Sequence, residues 1–116
     1  MEARLAVSSG KAGDSIPMLQ RVVELNPLDG GALMLLGQHF MDGKDIPKAT
    51  GYFERAVKLK DYESSASLRL ATIHITANKL ADALPLLKRS NELKANDSVA
   101  KLISDIERSL RKGSAK

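Results

Sequence analysis

The chain has 116 residues and a mass of 12.5 kDa, room for one small domain with one modest core. Hydrophobic residues at 43% and charged residues at 28% describe a folded chain rather than a disordered one. The absence of cysteine excludes a disulfide scaffold, a thiolate zinc site and a cysteine nucleophile. The net charge of +4 sits at the C-terminal end, because removing Arg108, Arg111, Lys112 and Lys116 leaves 14 basic residues against 14 acidic ones. A nucleic-acid footprint would cluster its cations on the folded surface, whereas these complement a helix dipole. No apolar run reaches the roughly 20 residues of a membrane-spanning helix, and Met1–Leu5 begins no apolar stretch of signal-peptide length. The compartment stays open.

A period of 34 residues organises the chain. Leu19–Leu25, Phe53–Leu59 and Leu87–Leu93 align without gaps, with Arg21, Arg55 and Arg89 in one column and Leu25, Leu59 and Leu93 in another. Ala32, Ala66 and Ala100 form a third column, and Ala49 and Ala83 a fourth. In chain order, residues 1–9 occupy the place of a first helix, although Ser8-Ser9-Gly10 is poor helix material. The start is therefore expected to be a degenerate repeat, or the chain a piece of a longer array. Gly10-Lys11-Ala12-Gly13-Asp14-Ser15 lacks the glycine–lysine spacing and preceding strand of a phosphate loop, so a turn is expected there. A helix follows, ending near Pro27.

Residues 30–63 form one repeat. Its first helix, Ala32 to Met41, carries Leu33, Leu36 and Phe40 on one stripe and Met34 and Met41 beside it. Asp42-Gly43-Lys44 is the turn. The second helix holds Ile46, Ala49, Tyr52, Phe53, Ala56, Val57 and Leu59, with Pro47 in its first turn, where a missing N–H costs nothing. Residues 64–97 repeat the plan. Leu68, Leu70, Ile73 and Ile75 lie on the first helix, Ala77-Asn78-Lys79 turns, and Leu80, Ala83, Leu84, Leu86 and Leu87 lie on the second. Pro85 predicts a slight distortion there. Gly37 and Ala71, facing Ala49 and Ala83, are read as the small residues that let paired helices approach. Residues 98–112 are expected to form a capping helix, with Ser98 as N-cap and an apolar stripe of Val99, Leu102, Ile103, Ile106 and Leu110. Residues 113–116 are expected to be a disordered tail, so that 1–112 make a single domain.

These columns resemble the tetratricopeptide repeat family. Leu33, Leu36, Gly37, Phe40, Ala49, Phe53 and Ala56 match its pattern in the first full unit, with Asp61 where proline is usual. Leu70, Ala71, His74, Ala83 and Leu87 match in the next, which departs at Ser67 and Ser90. Leu19, Val22 and Pro27 match the end of a preceding unit. The resemblance covers about residues 14–97. It implies an all-α, right-handed superhelical solenoid of antiparallel helix pairs whose first helices line a concave binding face. Carried over residue by residue, that face comprises Met34, Gln38 and Met41 with Leu68, Arg69, Thr72 and Ile75, edged by Gly31 and Ser65. The family's clamp for a chaperone C-terminal carboxylate is not expected. Met34 and Leu68 stand where lysine is wanted and Gln38 and Thr72 where asparagine is, which leaves Arg69 alone in character.

Chemistry is sparse by comparison. His39 and His74 fall at different repeat positions and no ligand set accompanies them, so no metal is expected. No serine has the flanking residues of a nucleophile elbow. Asp42, Asp45 and Asp82 read as turn and helix-start acids. The expectation is a non-catalytic protein-interaction module without cofactor, binding a peptide or helix of a partner protein. Its alternatives are a helical-repeat RNA binder, which would want cations where this face has Met, Leu and Ile, and self-association through exposed repeat ends.

Overall fold

The computed structural model describes residues 12–114. The expectation for residues 1–9 lies outside the described residues, as do Gly10 and Lys11 of the expected turn and Ala115 and Lys116 of the expected tail. The described residues form six α-helices: α1 (Ala12–Leu25), α2 (Gly30–Asp42), α3 (Ile46–Ala56), α4 (Glu63–Thr76), α5 (Leu80–Leu93) and α6 (Asp97–Ser114). A single 3-10 turn, Lys60–Tyr62, precedes α4. Among the described residues there is no strand. Ala12–Ser15 are helical, so the turn expected at this point gives way to the start of α1. The chain divides into two compact units, Met1–Leu59 and Lys60–Lys116.

In the first unit α1 packs on α2 and α2 on α3. Asp29 caps α2 by accepting from the Ala32 amide at 3.1 Å, and Asp45 caps α3 by accepting from the Lys48 amide at 3.4 Å, with Pro47 in the first turn as expected. Leu19, Val23, Leu33, Leu36, Ala49, Phe53 and Ala56 are buried. Ser15, 34 residues before Ala49, is fully buried too and extends the small-residue column upstream. Gly37 is needed for close approach, but its partner is Phe53 rather than Ala49. A Cβ built on Gly37 would lie 2.6 Å from Phe53 Cε1 and 2.8 Å from Cδ1 and Cζ. The ring is fully buried and has nowhere to retreat.

The second unit repeats the hairpin with different volumes. Ala71 replaces Gly37 and Leu87 replaces Phe53, and both are fully buried. One methyl gained on the first helix is matched by a smaller side chain on the second. Ser90 departs from the family's alanine for a visible reason. Ser90 Oγ donates to the Ser64 carbonyl at 2.9 Å and Ser64 Oγ donates to the Ser90 carbonyl at 3.1 Å, where the equivalent residues of the first unit are Gly30 and Ala56, without polar side chains. The pair satisfies both hydroxyls, which burial requires. Pro85 is exposed and α5 runs through it from Leu80 to Leu93 without a break.

The turns between paired helices are built alike. The Asp45 amide donates to Phe40 O at 2.8 Å and the Lys44 amide to Met41 O at 3.1 Å, while Lys79 donates to His74 O at 2.7 Å and Asn78 to Ile75 O at 2.9 Å. This is the Schellman arrangement, which places one residue in the left-handed region. That residue is Lys44 at φ 67° and Asn78 at φ 61°. Asparagine tolerates the conformation, whereas lysine carries its Cβ penalty, and Gly43, one residue earlier at φ −83°, gives no relief.

The last helix differs from its expectation in its cap and in its extent. Asn96 rather than Ser98 caps it, its Oδ1 accepting from the amides of Ser98 at 2.9 Å and Val99 at 3.3 Å, because a cap side chain must reach forward to the second and third helical amides. The helix runs on through Ser114, so Gly113 and Ser114 are not part of a disordered tail. Ala100 is exposed although Ala32 and Ala66 in the same column are buried. The buried residues of α6 are Val99 and Ile106, clustered with Ala71, Ala83 and Leu87, and Leu102, Ile103 and Leu110 pack alongside. Lys88 of α5 pairs with Glu107 of α6 at 3.2 Å.

Two stability measurements follow. Gly37→Ala should lower stability by about 1–2 kcal/mol despite alanine's better helix propensity, and Gly37→Ala/Phe53→Leu, which installs the second unit's pair, should lose less than the two single changes summed. Simple additivity in urea unfolding would remove the ring contact as the cause. Lys44→Gly should raise the urea midpoint, worth about 0.5–1 kcal/mol, because it relieves the left-handed strain at some cost in chain entropy.

Candidate functional site

Each unit presents its own candidate face on its first full-repeat helix. In the first unit Met34, Gln38 and Met41 lie at i, i+4 and i+7 of α2, one stripe along the helix, and all three are half-buried. Gln38 Nε2 donates to Asp42 Oδ1 at 2.8 Å, which orients the amide. Its other end, Oε1, is buried and accepts no hydrogen bond. The flanking methionines are unbranched and adapt their shape to whatever approaches. Gly31, at the edge, is half-buried.

The second unit treats the corresponding positions differently. Leu68 and Ile75 are half-buried and pack against the cluster that includes Val99 and Ile106 of α6. They therefore serve their own unit's core. Thr72, 34 residues after Gln38, donates its hydroxyl to the Leu68 carbonyl at 2.9 Å, and Thr76 does the same to Thr72. Such i−4 bonds satisfy the hydroxyl within the helix and leave no donor for a partner. Arg69 and Ser65 are exposed. Of the four nominated side chains here, Arg69 is the one turned to solvent with a free charge.

The aromatic residues, few as they are, gather in the first unit. Phe40 of α2 and Tyr52 of α3 stack with ring centres 5.7 Å apart and planes 5° from parallel. His39 meets Phe40 edge-on at 5.1 Å. Lys48 Nζ lies 5.2 Å from the Phe40 centroid and Arg55 Cζ 5.9 Å from that of Tyr52. Tyr52 stands on the apolar side of its helix and Arg55 in a repeat column, and the sequence gives no sign that the two form a pair. The arginine column was visible, but the 3.6-residue period that brings Tyr52 beside Arg55 was read only for apolar packing. Among the described residues no three of His, Cys, Asp and Glu come together as metal ligands. Among them, too, no helix is long and apolar enough to cross a membrane.

Comparison with known proteins agrees with this geometry. Residues 1–64 match the family model described as tetratricopeptide repeat. The cellulose synthase operon protein C of Escherichia coli K12 and its putative counterpart in Escherichia coli O157:H7 are each 42% identical over 60 residues, which is 52% of this chain and 5% of theirs. The chain thus spans about 5% of the length of these curated relatives. Among solved structures, the N-terminal domain of stress-induced protein-1 from C. elegans superposes with a TM-score of 0.77 at 15% identity, over 90% of this chain and 88% of that one. MamA superposes with a TM-score of 0.71 at 15% identity, over 98% of this chain and 77% of its own. At these identities the structural likeness speaks for the fold.

Proposed function

Because the chain belongs to the tetratricopeptide repeat family, whose usual role is protein–protein interaction, we propose that its first unit receives a peptide or helix of a partner protein on the α2 face formed by Met34, Gln38 and Met41. The observation that carries this reading is the Gln38 amide. Asp42 fixes its nitrogen at 2.8 Å, which holds the side chain in the half-buried stripe between Met34 and Met41. Methionines on either side along the stripe would supply apolar contact and yield to a range of shapes. In the second unit, Arg69 is the residue of the nominated set that a partner would meet first. The role proposed is that of a scaffold without catalysis.

The curated relatives are named for a cellulose synthase operon. With about 5% of their length represented here, only the repeat's role as an interaction surface is carried over, and the partner's identity is left to experiment.

The test is paired affinity capture from native cell extract with the wild-type chain beside Met34→Glu/Met41→Glu, folding of both being checked by circular dichroism. The wild type should retain at least one protein that the variant loses by roughly tenfold or more, the scale on which removing an interface anchor acts. A Gln38→Leu variant should weaken the same capture. Equal retention by folded wild type and double variant would move the site off α2. Enrichment of RNA alone would replace the protein-binding reading with the nucleic-acid one.

A further inference from the structure

The arginine column, Arg21, Arg55 and Arg89, holds the same side chain at one repeat position in three electrostatic settings. Arg89 Nε donates to Glu63 Oε2 at 2.7 Å and reaches Glu92 at 4.0 Å, and the Glu63 hydrogen bond, with its charge next, raises the pKa of the guanidinium. Arg21 lies 3.7 Å from Glu24. Arg55 has no carboxylate within ion-pair distance among the described residues. Two sequence differences account for this: Lys58 stands where Glu24 and Glu92 accompany Arg21 and Arg89, and the second is one methylene. Position 63 of the second unit is glutamate, long enough to reach Arg89, whereas its equivalent in the first unit is Asp29, whose short side chain is committed to the Ala32 amide as the cap of α2.

Arg55 is nevertheless held in place. Its guanidinium lies over the ring of Tyr52, and Tyr52 is stacked in turn on Phe40. A cation on an aromatic face is attracted by the ring quadrupole while its planar fork of N–H donors stays available at the edge. Arg55 and Tyr52 form one wall of a cleft of about 530 Å³ within the first unit, between α1 and α3, completed by Gln20, Val23, Glu24 and Pro27. Beside it in the chain stand Leu25 and Leu28, 74% and 72% exposed, the two most exposed large apolar side chains described. The cleft uses none of the α2 face residues.

We infer that this cleft is a second recognition site, taking the carboxylate of an acidic residue in a peptide segment flanked by aliphatic side chains. Arg55 receives the carboxylate through paired N–H donors, Gln20 offers an amide in the same lining, and Val23 and Pro27 take the aliphatic neighbours. A polyanion fits less well. Arg55 is the one cation in the lining, enough for a single carboxylate and too few for a run of phosphates, and Glu24 in the same lining is paired with Arg21 at 3.7 Å.

The experiment is a ¹H–¹⁵N titration of the full chain with acetyl-Leu-Ala-Glu-Ala-Leu-amide, its Gln-for-Glu counterpart, and inorganic phosphate. The glutamate peptide should shift the amides of residues 20–28 and 52–55 saturably, and roughly fivefold more tightly than the glutamine peptide. Arg55→Gln should abolish that difference with the remaining cross-peaks in place. Tyr52→Leu, which installs the residue of the second unit, should weaken it while leaving Arg55 present. Equal affinity for the two peptides, no saturable shift at these amides, or shifts produced by phosphate and not by the peptide would each overturn the assignment. Shifts confined to residues 34–42 would locate the peptide on the α2 face and overturn it as well.

Discussion

The contact between the eighth residue of each repeat and the second helix decides how near the two helices of a hairpin can lie, and most of the fold depends on that distance. In the first unit the pair is Gly37 and Phe53, and in the second it is Ala71 and Leu87. The chemistry differs while the sum of volumes is held, as a close-packed interior demands. The turn that follows adds its own constraint. Two crossed carbonyl contacts, on Phe40 and Met41 or on His74 and Ile75, force one residue into the left-handed region and aim the chain back along the helix it has left. Close approach and a fixed reversal together give each unit its hairpin, and only then do the outer faces acquire defined neighbours.

Much of the hairpin was legible in the sequence because it depends on side-chain size at fixed spacing. The columns through Ala49 and Ala83, and the stripe Leu33, Leu36, Phe40, are statements about volume and period, and the chain prints both. The helix that meets Gly37 was not legible to the same depth. Ala49 and Phe53 lie one turn apart on α3, and the period alone does not say which of them the glycine faces. The cap of α6 was misplaced by two residues for a related reason, since serine and asparagine are both good caps and only the distances from Asn96 Oδ1 choose between them.

The candidate site was less legible because exposure is a property of the neighbours. Leu68 and Ile75 sit where the family places ligand contacts, yet α6 turns Val99 and Ile106 toward the cluster they join, and they become packing residues. Ala100 shows the same dependence from the other side. It shares a column with two buried alanines, yet α6, with no following helix among the described residues to cover that side, leaves it in solvent. Periodicity identifies a face and says nothing of what lies against it.

Comparing the two units position by position gives the asymmetry a physical meaning. Gln38 keeps a buried acceptor without a donor, whereas Thr72 satisfies its hydroxyl on the carbonyl of Leu68. Arg55 keeps a positioned guanidinium without a carboxylate, whereas Arg89 is closed by Glu63. Gly30 and Ala56 carry no polar side chains, whereas their equivalents Ser64 and Ser90 exchange hydrogen bonds. At each of these positions the second unit settles its polar groups internally and adds α6 to its core. Of the three, the Arg55 guanidinium is the group that the first unit leaves exposed to an outside partner. An exposed guanidinium held on a ring keeps its donors for water or a partner, so the contrast between a unit that pairs its arginine and one that does not favours recognition on the first unit.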